Sequence, residues 1–422
     1  MHNASLGIHT FSFFQPLTEE DFSSLGGDII DQVRLGRLKP RKIKDKGKPS
    51  HITVREYTYR ANTGIRWRMI SINVSYHLTT YGVAVVITPK VLLNKNYIEA
   101  AKEDDIKMVE DIFNEEAKQI SPILSKFGLC PVNRADCCLN IDVDKINMPC
   151  SAEQYIQLFQ RGDIPNHFEE WKEYNSISHR KKAPGNNLYL VCGSVKINFY
   201  WKLDELYRNW ELDRLTSDLM VGPDLNDARH LIRLEIQCLY PKLHSLSKNL
   251  RHMSKYNEAF NELTLDEFGP YARKVAPVLT IPADVILTDD ITSSIIKKYY
   301  YKVVRKGDYF TLDCARWIVE QYGFRREKES RLLDTLEFVN ESRGIAKAKA
   351  KLSGTEQKEF KRSLKDLDAI YVNPVTIPRK WGITHIPNLL RAYYDSEYED
   401  VLVVGNEGHT HEYMTRYLAG EA

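Results

Sequence analysis

Three segments of the chain alternate between apolar and polar residues with a period of two, and this pattern constrains the fold more than any other feature. In residues 195–201 (VKINFYW), the side chains of Val195, Ile197 and Phe199 fall on one side of a strand and polar ones on the other. Residues 132–144 (VNRADCCLNIDVD) and 229–238 (RHLIRLEIQC) alternate in the same way. One face of an antiparallel sheet packs on the core while the other can carry polar groups, so the segments predict one sheet with a functional face.

The polar side of the first segment carries a candidate nucleophile. Tyr200 lies among polar and cationic side chains, where an activated phenol can attack a DNA phosphodiester. Lys202, two residues further on, is expected to lower the pKa of that phenol or to contact the phosphate. Considered alone, Tyr200 is equally an ordinary half-buried strand residue. The recurrence of functional groups in all three segments favours catalysis.

Carboxylates on the same faces predict a site for Mg²⁺ or Mn²⁺. Asp136 and Glu235 are the best candidate ligands, because hard cations prefer oxygen and carboxylates are otherwise disfavoured in mid-strand; Asp142 is a weaker third. Arg134 and Arg233 are expected to hold DNA phosphates or to orient the carboxylates. The alternative is that these residues form cross-strand ion pairs, each worth about 0.2–1 kcal/mol on a solvated sheet face.

Helical periodicity surrounds and follows the predicted sheet. It predicts helices near residues 104–124, 151–161 and 203–215, and further ones near 254–264, 287–301, 311–322, 327–341 and 354–367. The fold class is therefore α+β, with an antiparallel sheet flanked by helices and a mainly helical C-terminal region. A chain of 422 residues is long enough for two or three domains. We divide it at residues 1–50, 51–250 and 251–422, the last for DNA binding or self-association.

A basic segment precedes the predicted sheet. Residues 32–48 (QVRLGRLKPRKIKDKGK) lack apolar periodicity, and we interpret them as a mobile arm in which Arg41 and Lys42 contact phosphates. A solvated linker is the simpler alternative. Because the formal charge of the whole chain is only +2, affinity for DNA must come from local patches of this kind.

Cysteine usage and the hydropathy pattern bound the location of the protein. The seven cysteines include no CxxC pair, which argues against a zinc knuckle and against a disulfide framework. The N-terminal residues lack the pattern of a signal peptide, and no segment is apolar enough to predict a membrane span. We therefore expect a soluble protein of the reducing cytoplasm.

These motifs, in this order, resemble the phage and plasmid replication initiators of the filamentous-phage gene II/X type, relatives of the rolling-circle replication endonucleases of the HUH superfamily. NRADCCLNID (133–142) is similar to the family's Arg-Ile-Asp strand, INFYWKLDEL (197–206) to its Tyr-x-Lys motif, and LIRLEIQCLYPKL (231–243) to its Arg-x-Glu strand. ITPKVLLNKN (87–96) and VNPVTIPR (372–379) extend the likeness over most of the chain.

The resemblance implies an activity, a site and partners. By position, Tyr200 matches the family's nucleophile, Lys202 its companion lysine, and Asp136 and Glu235 its acids. Such a protein nicks one strand of origin DNA, forms a 5′-phosphotyrosyl bond and frees a 3′-OH that primes replication, with the host helicase and polymerase as further partners in a bacterial cell. The metal site departs from the family, since no His-hydrophobic-His motif occurs; His77 is the substitute ligand we consider.

Two other functions stay open. A tyrosine recombinase would use His230 and Arg233 as an HxxR motif with Tyr413 or Tyr417 as nucleophile, but the motif falls in an alternating strand and roughly 180 residues separate it from those tyrosines. A non-enzymatic origin-binding protein would use the same sheet only as a platform.

Overall fold

Ten strands of the described residues form one large antiparallel sheet, and four others form two separate two-stranded sheets. The computed structural model describes residues 4–41, 51–75, 78–96, 98–171, 173–175, 180–182, 187–211, 223–250 and 283–397. Within these, the strands are β1 Ala4–Leu17, β2 Leu38–Arg41, β3 Ile52–Tyr59, β4 Ile65–Ser75, β5 Leu78–Ile87, β6 Val132–Asp142, β7 Glu169–Glu170, β8 Glu173–Asn175, β9 Arg180–Lys182, β10 Asn187–Val191, β11 Val195–Trp201, β12 Leu231–Leu239, β13 Tyr309–Phe310 and β14 His385–Ile386.

The helices lie between and after these strands. They are α1 Glu19–Arg34, α2 Pro89–Leu92, α3 Glu103–Ile120, α4 Ala152–Phe159, α5 Lys202–Glu211, α6 Pro223–Arg229, α7 Tyr240–Leu250, α8 Ala283–Ile286, α9 Asp289–Val303, α10 Leu312–Gln321, α11 Arg326–Glu341, α12 Ile345–Ala350, α13 Gly354–Ala369 and α14 Leu389–Glu397. The predicted α+β class, with its antiparallel sheet and helical C-terminal region, is confirmed. None of the described helices is both long enough and apolar enough to cross a lipid bilayer.

The two halves of the ten-stranded sheet have the same topology when each is followed outward from the centre. In each half the central strand comes first, and the strands that follow it in the chain come after it in reverse order. The sheet runs β2-β3-β4-β5-β1-β6-β12-β11-β10-β7, and its paired strands are antiparallel. On one side β1 leads into α1 and then into strands that return to pair with β1; on the other, β6 leads into α4 and then into strands that return to pair with β6. The centre of the sheet is thus the pair β1–β6.

One face of the sheet carries the apolar core. Side chains of Phe11, Phe13, Phe113 and Phe127 meet edge to face with ring centroids 5.1–6.0 Å apart, where α3 and a short turn pack on β1. On the other half, Phe199 of β11 contacts the ring of Tyr300 from α9 at 5.9 Å between centroids. The alternation of residues 195–201 therefore has the expected result, and α9 supplies part of the cover.

One feature of the predicted layout differs in the structure. Residues 32–41 form the end of α1 and the edge strand β2, because residues 38–41 pair with β3 and Arg41 lies opposite Glu56. Lys42 and the helix predicted near 254–264 lie outside the described residues. The boundaries at residues 50 and 250 stay predictions; the sheet itself begins at β1, and its core continues past residue 250 into α9.

Candidate active site on the polar sheet face

The polar face of the sheet brings together residues from β1, β6, β11 and β12. Residues that pair directly across antiparallel strands point to the same face, so the strand register decides which side chains share it. Across β11, β12 and β6 the rows are Tyr200–Arg233–Asn140 and Asn198–Glu235–Cys138, and Gln237–Asp136 comes next along β12 and β6.

Tyr200 lies in the middle of this face but is almost completely covered. It is 5% exposed, and its hydroxyl donates a hydrogen bond to Glu235 Oε2 at 3.4 Å. Burial raises its pKa well above the usual value for a phenol, and the nearby Arg233 guanidinium offsets part of that rise. The phenol is therefore protonated at rest, and its chemistry depends on a neighbouring group that accepts the proton.

Lys202 begins α5 and does not continue the strand, because β11 ends at Trp201. The side chain is 1% exposed, its Nζ donates to Glu205 Oε2 at 2.8 Å, and it lies 5.8 Å from the centre of the Tyr200 ring. Burial and the charge of Arg233 lower the pKa of Lys202 to about 8. The predicted neighbour of Tyr200 is thus next to it, held by a helix turn.

His9 of β1 joins Asp136 and Glu235 to form a set of three possible metal ligands. Its Nδ1 lies 3.7 Å from Glu235 Oε2, and ligand atoms of the three residues all lie within 4.8 Å of one another. The register of β1 against β6 shifts between Ile8 and Thr10, so His9 occupies a bulge, a feature that redirects a side chain. Sequence reasoning missed His9; the alternation in residues 8–14 (IHTFSFF) is the signal that predicts a strand there.

The three residues fit a divalent cation. An octahedral ion with ligands at about 2.1 Å has adjacent ligand atoms about 3 Å apart and opposite ones about 4.2 Å apart, close to the spread seen here. Burial and the surrounding cations, Arg233 first among them, lower the pKa of His9 well below its usual value, so the imidazole is neutral and has a free lone pair. One imidazole with two carboxylates suits Mn²⁺ or Mg²⁺.

The two carboxylates differ in their surroundings. Asp136 is 1% exposed; its Oδ1 accepts from Arg134 Nε at 2.9 Å and from Gln237 Nε2 at 2.9 Å, and Arg134 also contacts Oδ2. Glu235 has a pKa raised to about 7 by burial and by the charge of Asp136. Arg134 therefore orients the Asp136 carboxylate, which is one of the two roles expected for this arginine.

Asp142 and His77 do not join this set. Asp142 lies six residues along β6 from Asp136, which corresponds to roughly 20 Å at the rise of a strand. Its Oδ1 accepts from the backbone N–H of Asp144 and Lys145, so it terminates the strand. Shared alternation placed Asp142 on the same face, but distance along the strand separates it from the site. His77 lies outside the described residues.

Arg233, which was expected to hold a DNA phosphate or to orient a carboxylate, is buried under the site. It is 0% exposed; Nε donates to Asn140 Oδ1 at 2.6 Å and one terminal nitrogen to the Ile98 carbonyl at 2.7 Å. Its other terminal nitrogen, Nη1, has no hydrogen-bond partner among the described residues. A buried guanidinium with a spare N–H is a point of attraction for an anion.

Lys90 at the start of α2 is a third buried cation beside Lys202 and Arg233, and sequence reasoning missed it. It is 7% exposed, and burial, with the charges of Lys202 and Arg233, lowers its pKa well below the usual value for an amine. Glu205 and Glu235 are the carboxylates that act on these three groups. Three cationic side chains thus face two carboxylates around Tyr200.

Tyr189 of β10 is a second tyrosine on this face. It pairs with Asn198 in the row of Glu235 and is partly exposed. Burial and then the charge of Glu235 raise its pKa, while Arg134 lowers it. Tyr189 is therefore closer to solvent than Tyr200 and interacts with the same carboxylates.

The residues of the competing recombinase motif do not form a helical site. His230 lies in a turn before β12, and Arg233 is in the strand itself. Tyr413 and Tyr417 lie outside the described residues.

No protein-family model and no curated protein matches this sequence. Among solved structures, the chain is similar to one described as the rolling circle replication initiator protein from Geobacillus stearothermophilus, with a TM-score of 0.26 and 9% sequence identity, over 56% of this chain and 74% of that one. A likeness at this level carries no argument about fold or function, so the function follows from the site alone.

Proposed function

We propose that this protein cuts one strand of DNA by transferring it to Tyr200, as a rolling-circle replication initiator does, with a divalent cation bound by His9, Asp136 and Glu235. The observation that carries the proposal is the convergence on one sheet face of a phenol, three possible metal ligands and a buried guanidinium with a spare N–H. Cross-strand ion pairs on a solvated face would need neither the histidine nor the buried cations.

The residues of the site match the proton transfers of this reaction. The phenolic oxygen of Tyr200 bonds to phosphorus while the bond from phosphorus to the 3′ oxygen breaks. Glu235 Oε2, 3.4 Å from the hydroxyl, accepts the phenolic proton, and the other oxygen of the same carboxylate is left to bind the cation. Lys202, with a pKa of about 8, supplies the proton that the departing 3′ oxygen needs. The products are a 5′-phosphotyrosine and a free 3′-OH.

Positive charge around Tyr200 would stabilise the transition state. Arg233 is buried, so its attraction for the charge that builds up on the phosphate is weakly screened by water. A bound Mg²⁺ or Mn²⁺ would polarise the scissile phosphate. The chain's own part is to keep His9 neutral and to hold the Asp136 carboxylate in a fixed orientation through Arg134 and Gln237.

Formation of a covalent adduct tests the proposal. Single-stranded oligonucleotides that tile the replicon encoding the protein are incubated with it and Mn²⁺, and adducts are resolved on a denaturing gel. We expect an adduct from the wild type and from Tyr207→Phe, an exposed tyrosine on α5 that serves as the matched control, and none from Tyr200→Phe.

Other outcomes separate the alternatives. An adduct that persists in Tyr200→Phe and disappears in Tyr189→Phe assigns the nucleophile to Tyr189. An adduct that disappears only in Tyr417→Phe revives the recombinase. Binding to origin DNA with no adduct from the wild type overturns the proposal in favour of an origin-binding protein.

A further inference from the structure

The polar face continues beyond the candidate active site into the first half of the sheet, where it carries arginines. Strand pairing sets Arg134 opposite Ser12, Ser12 opposite Val86, and Val86 opposite Arg66, across β6, β1, β5 and β4. Residues paired in this way share a face. Arg66 therefore points to the same side as Arg134, the residue that holds Asp136.

Two more arginines extend this line to the edge of the sheet. Arg68 lies two residues along β4 and pairs with Glu56 on β3, which in turn pairs with Arg41 on β2. We call Arg41, Arg68, Arg66 and Arg134 the arginine row. With neighbouring strands about 4.8 Å apart, the row covers roughly 24 Å from β6 to β2.

The arginine row has more positive charge than its carboxylates neutralise. Arg41 Nε lies 3.6 Å from Glu56 Oε1, and Arg68 Nε lies 2.5 Å from Glu56 Oε2, so two guanidinium groups share one carboxylate. Within the described part of the chain Arg66 has no ion pair, and burial together with Arg68, Arg41 and Arg134 lowers its pKa. A line of this kind attracts a polyanion.

Three of the four arginines in the row are substantially exposed to solvent. The side chains of Arg41, Arg68 and Arg134 are 45%, 35% and 37% exposed, respectively. Between Arg66 and Arg134 the face carries the short side chains of Ser12 and Val86, which are 7% and 4% exposed. Arginine binds phosphate through paired N–H groups and reads no base in doing so.

We propose that the arginine row binds the sugar-phosphate backbone of the DNA strand and leads it to the site around Tyr200. The inference rests on the proposed function, since it concerns the same substrate. A stacked strand advances about 3.4 Å per nucleotide, so about seven nucleotides cover the row. Binding along the row is independent of base sequence and depends on salt.

Equilibrium binding of labelled single-stranded DNA, measured by fluorescence anisotropy with EDTA present, tests this separately from cleavage. We expect Arg66→Gln to weaken binding of a 12-nucleotide strand about threefold to tenfold and to reduce the slope of log K against log salt by about 0.7. Arg55→Gln is the matched control, because Arg55 is exposed on the neighbouring strand β3 and its pairing with Met69 puts it on the opposite face. It should leave both quantities unchanged.

Two further measurements make each outcome decisive. Arg66→Lys keeps the charge and should restore the salt slope, which a merely structural role of Arg66 would not predict. A 4-nucleotide strand is too short to reach from the site to Arg66, so Arg66→Gln should not affect its binding. If Arg66→Gln and the wild type bind the 12-nucleotide strand equally well and adduct formation is intact, the proposal that the arginine row binds DNA is refuted and the proposed function is not. Absence of any DNA binding by the wild type overturns the proposed function as well.

Discussion

The buried carboxyl of Glu116 makes the stability of the fold depend on pH in a way that a single substitution can isolate. Glu116 on α3 is 9% exposed, and neither its Oε2 nor Trp67 Nε1 has a hydrogen-bond partner among the described residues. Burial raises the pKa of Glu116 to about 7, and the Trp67 indole offsets only part of the rise. Because the folded state favours the protonated form, this group lowers the free energy of unfolding as the pH rises from 4.5 to about 7.

We expect Glu116→Gln to remove that loss. A pKa raised from 4.5 to about 7 corresponds to about 3 kcal/mol of destabilisation once both folded and unfolded forms are ionised. The variant should therefore be more stable than the wild type by up to this amount near pH 8, and nearly equal to it near pH 4.5. Urea unfolding followed by circular dichroism at several pH values measures the difference.

Glu115→Gln is the matched control, because Glu115 precedes Glu116 on the same helix and is exposed. It should change stability by a few tenths of a kcal/mol at most, with little dependence on pH. A gain from Glu116→Gln that is the same at all pH values would refute the reasoning, and so would a loss near pH 8.

Three further predictions concern the packing of glycines, the buried arginine and the cation site. Gly7→Ala puts a Cβ 2.1 Å from the Ala101 carbonyl oxygen, so it should cost about 1–3 kcal/mol in urea unfolding, whereas Gly27→Ala on the open side of α1 should gain about 0.5–1 kcal/mol. Arg233→Met removes two buried donors and should cost about 3–5 kcal/mol; an unchanged urea midpoint would show that its hydrogen bonds are dispensable. Mn²⁺ should raise the melting temperature of the wild type but not of His9→Gln, and equal shifts would place the ion elsewhere.

The alternation of residues was sufficient to predict β6, β11 and β12 and the two faces of the sheet that they form. Phe199 and Ile197 face the core and Tyr200 faces the polar side, because the period of a strand leaves no other choice. Alternation says nothing of what lies above a face. The burial of Arg233 arises partly from the segment that carries Ile98, whose carbonyl accepts a hydrogen bond from Arg233, and that segment is over a hundred residues away in sequence.

The members of the site that sequence reasoning missed have the same physical origin. His9 reaches Glu235 because a bulge turns it there and because β1 pairs with β6, and Lys90 arrives from a short helix after β5. Neither the pairing of β1 with β6 nor the position of Lys90 can be inferred from the residues that neighbour them in the sequence. Asp142 was predicted as a third cation ligand because it shares a face with Asp136. The shared face is observed, but Asp142 lies too far along the strand to reach the site.

The central place of β1 in the sheet has a consequence for synthesis on the ribosome. Its Phe11 pairs with Ile87 and its Ile8 with Cys137, so β1 waits for roughly 75 and then 130 further residues before both its edges are filled. Until then each open edge can pair with another chain. The strand that positions His9 is thus translated before either of its partners, and it gains the second one only after β6 has left the exit tunnel.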